Sequence, residues 1–351
     1  VAVAQALDQH PLNSAEFKVA VMLPNAQAAE QLYGQLTGEI HASSLSAIID
    51  TSSILRQASL GRLAHADLGF TNSDQSNPAP HGAWARALGS WGALGSSADT
   101  ERLTRSIGGM MFGADTQLDD KTRAGLAAAF TRSSYKTPSM GSATADGYHL
   151  MAYAGQSYDA WSLRGGASYS WYNLDTQRHI DFARFGGQKA NYHLQSAQVF
   201  AELAHSQTWD ALTIEPYANV AQVWTRRGGF QEDGGIGALQ GASQTHSTTL
   251  STLGLRTRYE ISRSTEYQWN LGAGLGWRHL IGKKAPSSDL SFSTGPNFSI
   301  QGAPLARNAL MAELGAELSN SKNSRFSLLY TGQIAGKTND HGVQLRASWA
   351  F

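Results

Sequence analysis

A chain of 351 residues with 27 Lys+Arg balanced by 27 Asp+Glu offers no general electrostatic reason to expect a nucleic-acid partner. It contains no cysteine, which excludes a disulfide framework, a thiolate metal site and a cysteine nucleophile. Its longest apolar runs, such as Leu126 to Phe130, fall far short of the ~20 residues a membrane-spanning helix requires, whereas 36 Gly, 12 Tyr and 9 Trp suit many half-buried strands.

The opening "VAVAQALDQHPLN" has neither the basic start nor the apolar core of a secretory signal and does not begin with Met, so the chain is expected to be the C-terminal part of a longer, processed polypeptide. Two helices are expected over Ala28–Leu36 and Ala42–Leu63, interrupted at Thr37-Gly38. In the second, Leu45, Ile48, Ile49, Leu55, Leu60 and Leu63 recur at helical spacing among hydroxyl residues that are mediocre helix formers. About 22 residues at ~1.5 Å each make a rod of roughly 33 Å, close to the ~30 Å of a bilayer's hydrocarbon. Asp50, Arg56, Arg62 and the serines argue against direct lipid contact. The stretch "TNSDQSNPAPH", residues 71–81, reads as a linker with two prolines.

From Gly82 onward apolar and polar residues alternate in segments of about ten, the pattern of transmembrane barrel strands. In one segment Trp161, Leu163, Gly165, Ala167, Tyr169 and Trp171 oppose Ser162, Arg164, Gly166, Ser168, Ser170 and Tyr172. In another Tyr267, Trp269, Leu271, Ala273, Leu275 and Trp277 oppose Gln268, Asn270, Gly272, Gly274, Gly276 and Arg278. Aromatics at both ends with small and aliphatic residues between are what a strand crossing hydrocarbon between two aromatic girdles carries. Twelve strands are expected, over 82–92, 105–117, 121–133, 145–156, 160–173, 190–206, 210–224, 246–260, 266–280, 306–318, 324–335 and 341–351. Their connections alternate long and short, so the long set is expected outside and the short turns and both ends of the barrel domain in the periplasm. The faces of 105–117 and 190–206 are ambiguous, and Pro216 fits 210–224 only at a bulge.

Twelve strands enclose a lumen wider than side chains alone fill and narrower than an open porin channel. The fold class is therefore an all-β membrane protein, a 12-stranded antiparallel barrel with an N-terminal helix through its lumen. The inward positions Arg123, Arg164, Glu215, Arg256, Arg258, Arg278, Glu313, Glu317 and Arg346 leave room for one helix, and 42–63 is the available occupant. Contacts between helix and lumen are expected among Asp50, Arg56, Arg62, Arg164, Arg256, Arg278, Glu313, Glu317 and Arg346, with everything before residue 42 emerging outside.

The stretch "LYGQLTGEIHASSLSAIIDTSSILRQASLGRL" (32–63), followed by "AWARALGSWG" (83–92), the twelve-strand pattern and the terminal "SWAF", resembles the C-terminal translocator domain of monomeric autotransporters, the type V secretion proteins of Gram-negative bacteria. The resemblance implies a monomeric outer-membrane barrel in lipid and lipopolysaccharide, inserted by the barrel-assembly machinery with periplasmic chaperones, that secretes and anchors its own passenger. It divides the chain into a passenger remnant at 1–40, a lumen helix and linker at 41–81 and the barrel at 82–351. It makes Trp349 and Phe351 the assembly signal. "LTGEIHAS" resembles the junction in autotransporters with subtilisin-like protease passengers. Some members of the autotransporter family cut themselves in the lumen through an Asn, but this chain has none between Asn25 and Asn72, so that mechanism is not expected here.

No active-site signature accompanies the barrel: H-E-x-x-H, G-x-S-x-G and a phosphate loop are missing, "GAGLG" (272–276) falls inside a strand, and the 11 histidines show no metal-ligand spacing. No cofactor, metal or nucleic acid is expected. The alternatives are a channel or porin, which would lack a plug, and a barrel-embedded hydrolase.

Overall fold

A sheet in lipid cannot leave an edge unpaired, and in the computed structural model the sheet closes on itself. The structure describes residues 2–9, 11, 14–67, 81–139, 141–181, 186–264, 266–293, 295–320 and 324–351. Four helices come first: α1 (Ala2–Asp8), α2 (Ala15–Val21), α3 (Ala26–Leu36) and α4 (Glu39–Asp67). Strands β1 (His81–Leu94), β2 (Leu103–Gln117), β3 (Thr122–Thr137), β4 (Gly141–Tyr158), β5 (Trp161–Ile180) and β6 (Gly186–His205) form consecutive antiparallel hairpins. A three-residue strand, β7 (Gln207–Trp209), continues β6, and both pair with β8 (Leu212–Arg227). After β9 (Phe230–Gln231) and β10 (Leu239–Gly241) come β11 (Gln244–Arg263) and β12 (Tyr267–Ile281), then β13 (Ser287–Phe292) and β14 (Phe298–Gln301). Strands β15 (Asn308–Asn320), β16 (Ser324–Ala335) and β17 (Thr338–Ala350) complete the ring.

The seam joins the two ends of the domain. β1 pairs with β17 from Gly82↔Ala350 to Ala93↔Asn339. Beyond it Phe351 N donates to His81 O at 2.9 Å and His81 N to Phe351 O at 3.1 Å, so the last residue finishes the ladder. Strand β8 shows how a proline is accommodated: the ladder with β6 ends at Ala204↔Tyr217 and resumes as Gln207↔Ile214, leaving Pro216 in the gap where no N–H is needed.

The outward face is a lipid surface. Trp91, Phe130, Tyr148, Trp171, Trp224, Trp277 and Tyr330 form an exposed belt toward the end with the long connections, and Tyr158, Trp161, Trp209, Tyr267, Trp269, Phe326 and Trp349 form one at the other end. Phe130, Tyr148 and Trp171 stand in one cross-strand row. Along β5 the ten residue steps from Trp161 to Trp171 rise ~33 Å, which a strand tilt of about 40° reduces to the ~25 Å apolar band of outer-membrane barrels. Glycine and methionine pairs explain why β2 was unreadable by pattern: its inward side carries Arg105, Ile107 and Met111, and its outward side Gly108, Met110 and Phe112.

All twelve expected strands are present among the described residues, but the first four long connections are shorter than expected. Segments 134–144 and 174–189 are largely paired strand, because β3 to β6 run on beyond the outer belt. The two longest connections form a small sheet of their own in the order β14-β13-β10-β9. The chain before α4 does not simply emerge: Val3, Ala6 and Leu7 of α1 and Leu32 and Leu36 of α3 are buried against Leu239, Leu290, Phe292, Phe298 and Ile300 of this sheet.

Helix α4 is longer than the expected 42–63, and its apolar residues are spread around its circumference because it lies inside the barrel. Its serines are compatible with the helix because they bond backward: Ser44 Oγ donates to Ile40 O at 2.7 Å and Thr51 Oγ1 to Ala47 O at 2.8 Å. Gly38, at φ +64°, breaks α3 from α4 in the left-handed region that favours glycine. Gly302 brings the β14–β15 connection against the first turn of α4, where Ala303 N donates to Ser43 Oγ at 2.8 Å and a Cβ on Gly302 would overlap the Ala42 carbonyl. Gly302→Ala should therefore cost about 1–3 kcal/mol by overpacking. The temperature at which the folded barrel loses its fast electrophoretic migration should fall by several degrees, and an unchanged temperature would count against this contact.

Candidate functional site: the filled lumen

The strand pleat decides which side chains reach the lumen, and every second residue of each strand points inward. Asp50, Arg56 and Arg62 of α4 meet this wall. They lie six residues apart, and at ~100° per residue successive members point ~120° apart around the axis, each to a different sector.

Asp50 takes Arg278 Nη1 at 3.0 Å and Arg105 Nη2 at 2.5 Å, and Arg105 reaches Asp340 at 3.1 Å. Arg56 donates to Gln198 Oε1 at 3.1 Å, while Gln198 Nε2 donates back to Ser52 O at 3.0 Å. Arg62 forks onto Asp115 at 2.6 and 3.0 Å, and Asp115 also receives Arg123 at 2.5 Å and the Tyr153 hydroxyl at 3.2 Å. Arg86 adds a bond to Ala58 O at 3.1 Å.

The remaining expected contact residues have other placements. Arg164 and Arg256 are gathered with Glu202 and Glu215 into a buried quartet that ties β5, β6, β8 and β11 together, at 2.7 to 3.2 Å. Glu317 lies 3.6 Å from Arg325 on the neighbouring strand, and Glu313 and Arg346 line a cavity of about 140 Å³ beside the helix. Arg346 flanks Gly61, where a Cβ would stand 3.6 Å from its guanidinium.

At the outer rim the helix is held by groups that pattern reading missed. His41 is fully buried, with Nδ1 2.9 Å from the Tyr192 hydroxyl and Nε2 2.8 Å from Glu232 Oε1. Arg178 donates to both oxygens of Glu232, at 2.7 and 2.5 Å, and to Gln35 O at 2.7 Å. Burial pushes His41 below its usual value, while Glu232, though burial opposes it, is drawn down to about 2 chiefly by Arg178. Burial raises Glu39 to about 7 even though it accepts bonds from Glu101 N and Ser43 Oγ. Arg105 lay in a strand of ambiguous face, and Arg178 and Glu232 in segments read as loop. The alternation of β5 carried past Trp171 would have placed Arg178 inward.

Among the described residues no group of three or more His, Asp or Glu could hold a metal ion. A closed barrel with a lipid-facing belt, a polar lumen and a helix bolted through it defines an outer-membrane β-barrel protein of the helix-filled class. The chain belongs to the autotransporter β-domain family, whose model matches residues 83–331, and is an outer-membrane translocator.

Two extracellular serine proteases of Serratia marcescens are similar to it, at 34% and 33% identity over 93% of this chain. The chain spans only 31% of their length. Among solved structures the translocator domain of NalP from Neisseria meningitidis aligns with a TM-score of 0.73 at 16% identity, covering 89% of this chain and 99% of that one. The β-domain of the Bordetella autotransporter BrkA aligns at 0.58 with 19% identity, covering 78% of this chain and all of that one.

Asp50→Asn should leave Arg105 and Arg278 undercompensated and cost about 3–5 kcal/mol, read as a lower denaturation midpoint of the refolded barrel. Pairing it with Arg278→Gln should recover part of the loss, and strict additivity would count against the bridge.

Glu39 adds a pH signature. Its raised value means that its contribution is fully present below about 4.5 and lost as pH rises through about 7. Wild-type stability relative to Glu39→Gln should therefore decline between those values and level off above them. A difference that is flat with pH would refute the burial of the carboxyl.

Proposed function

We propose that this chain is the membrane anchor of a protein that secretes its own N-terminal passenger, with residues 1–40 the tail of that passenger, 41–81 the lumen segment and its link, and 82–351 the barrel. The observation that carries this reading is the path of α4: it traverses the lumen and continues at the outer rim through Gly38 into α3, which packs on the small outer sheet. A porin has no use for such a segment. The names of the two Serratia marcescens relatives support a serine protease as the passenger. The barrel itself serves export rather than hydrolysis in this reading.

Partners follow from the same assignment. Lipid and lipopolysaccharide surround the apolar belt. The barrel-assembly machinery and periplasmic chaperones receive the unfolded chain, with Trp349 and Phe351 as the recognised end, and the assembled barrel acts as a monomer.

An epitope placed before Val1 should be cleaved by external protease on intact cells. Protection of the epitope while the barrel is assembled would overturn the reading. Deletion of residues 42–63 should raise single-channel conductance sharply in planar bilayers, and an unchanged conductance would count against the helix as plug. Removal of Phe351 should impair insertion in cells more than it weakens the finished barrel; equal insertion of both chains would argue against its role as a signal.

A further inference from the structure

The lumen changes character along its axis. From Gly38 to Ser53 every residue of the chain is buried, so this length of α4 is in contact with its surroundings on all sides. Beyond it, Ile54, Gln57, Gly61 and Arg62 are partly exposed at helical spacing, and this stripe faces open space. The two lengths have different walls. Around Leu45, Ile48 and Ile49 the wall is mostly apolar, with Leu103, Tyr135 and Tyr172 on one side and Leu250 and Leu280 on the other, interspersed with Ser133, Thr225 and Thr248 and bordered at Ile49 by a cavity of about 370 Å³ beside β11. Ala303 and Leu305 of the connection that Gly302 presses onto the helix complete this cluster. The lower length packs Leu55 and Leu63 against Trp84, Leu88, Ile107 and Met111 on one side, but beside the partly exposed stripe the wall recedes, leaving the cavity of about 140 Å³ between Gln57, Gly61 and Arg346.

We propose that this apolar collar is the permeability seal of the barrel and that the ionic contacts below it hold the helix without sealing anything. The collar from Leu45 to Ile49 is five residues deep, about 7 Å at the α-helical rise, and lies below the buried His41–Glu232–Arg178 cluster. An ion entering it would surrender its hydration with no charged group and only scattered hydroxyls in return. An ion in the lower lumen meets charged and hydroxyl side chains beside a cavity that admits water, which is a pathway rather than a barrier. The periplasmic part of the lumen is therefore a blind chamber, wet and closed at its outer end. This assignment deepens the translocator reading and borrows from it only the knowledge of which end is outside.

Two substitutions that both make space distinguish the zones. In planar bilayers Leu45→Ser combined with Ile48→Ser should raise the conductance of the folded barrel at least tenfold over wild type. Gln57→Ala, which enlarges the chamber, should leave it unchanged. A collar variant that folds, as judged by retained heat-modifiable migration, yet stays silent would overturn the proposal, as would a chamber variant that leaks equally. Neither result depends on passenger export, so failure here is separable from failure of the translocator reading.

The cysteine-free chain provides a check in the otherwise unaltered barrel. Gln57→Cys should react with a small charged methanethiosulfonate reagent when the periplasm is opened and not when the reagent is confined outside intact cells. Reaction from outside would show that the collar does not seal.

Discussion

Closure of the sheet is the constraint from which the rest follows. Twelve strands in lipid must satisfy every backbone group internally, and β1 and β17 do so down to the last residue, where Phe351 and His81 exchange both backbone bonds. Closure fixes the circumference, and the circumference fixes a lumen about one helix wide with a margin to spare. The helix and the ion pairs are responses to that vacancy. Where the margin is taken up by large apolar side chains the lumen is dry; where it is not, arginines and carboxylates occupy the wall and pair with one another.

The bolts and the wall network differ in what they stabilise. The Arg164–Glu202–Glu215–Arg256 quartet joins adjacent strands, and its four charges compensate one another within the wall. It belongs to the barrel. Asp50 and Arg62, in contrast, each place one charge from the helix among wall groups of the opposite sign. Those pairs specify position more than they add stability, since a buried pair recovers only part of its desolvation cost. Three directions of attachment around the axis leave the helix one rotational setting.

Strand number, the order of turns and the lipid face were legible because alternation is enforced wherever one side meets hydrocarbon. Trp161 to Tyr172 and Tyr267 to Arg278 show it plainly. It fails where both faces carry residues of one kind, as in the glycines and methionines of β2, and where the strand leaves the membrane. Above the outer belt both sides of a strand meet water or protein, so the outer reaches of β5 and β6 look like loop. The small outer sheet was invisible for the same reason, since Leu290 and Phe292 alternate with Asp289 and Ser291 over too few residues to register. Asp50, Arg56 and Arg62 were readable as odd residues on a helix of membrane length. Of their partners only Arg278 was, because Arg105, Gln198 and Asp115 are brought to the helix by register and curvature, which no local pattern encodes.

The composition of α4 answers to both halves of the lumen at once. A Leu-rich helix would suit the collar but strand apolar surface against the polar wall below. A charged helix would suit the chamber but bury unpaired groups in the collar. Serine and threonine avoid the conflict because their hydroxyls turn back onto the carbonyls of the preceding turn, as Ser44, Thr51, Ser52 and Ser59 do, and so present a small surface that needs no outside partner. Such a side chain is tolerated in a dry layer and in a wet one. The low helix propensity that makes these residues poor choices for an isolated helix is the cost of that neutrality, and it is offset only when the barrel encloses the segment. The helix is thus conditional on the barrel, and the seal is conditional on the helix.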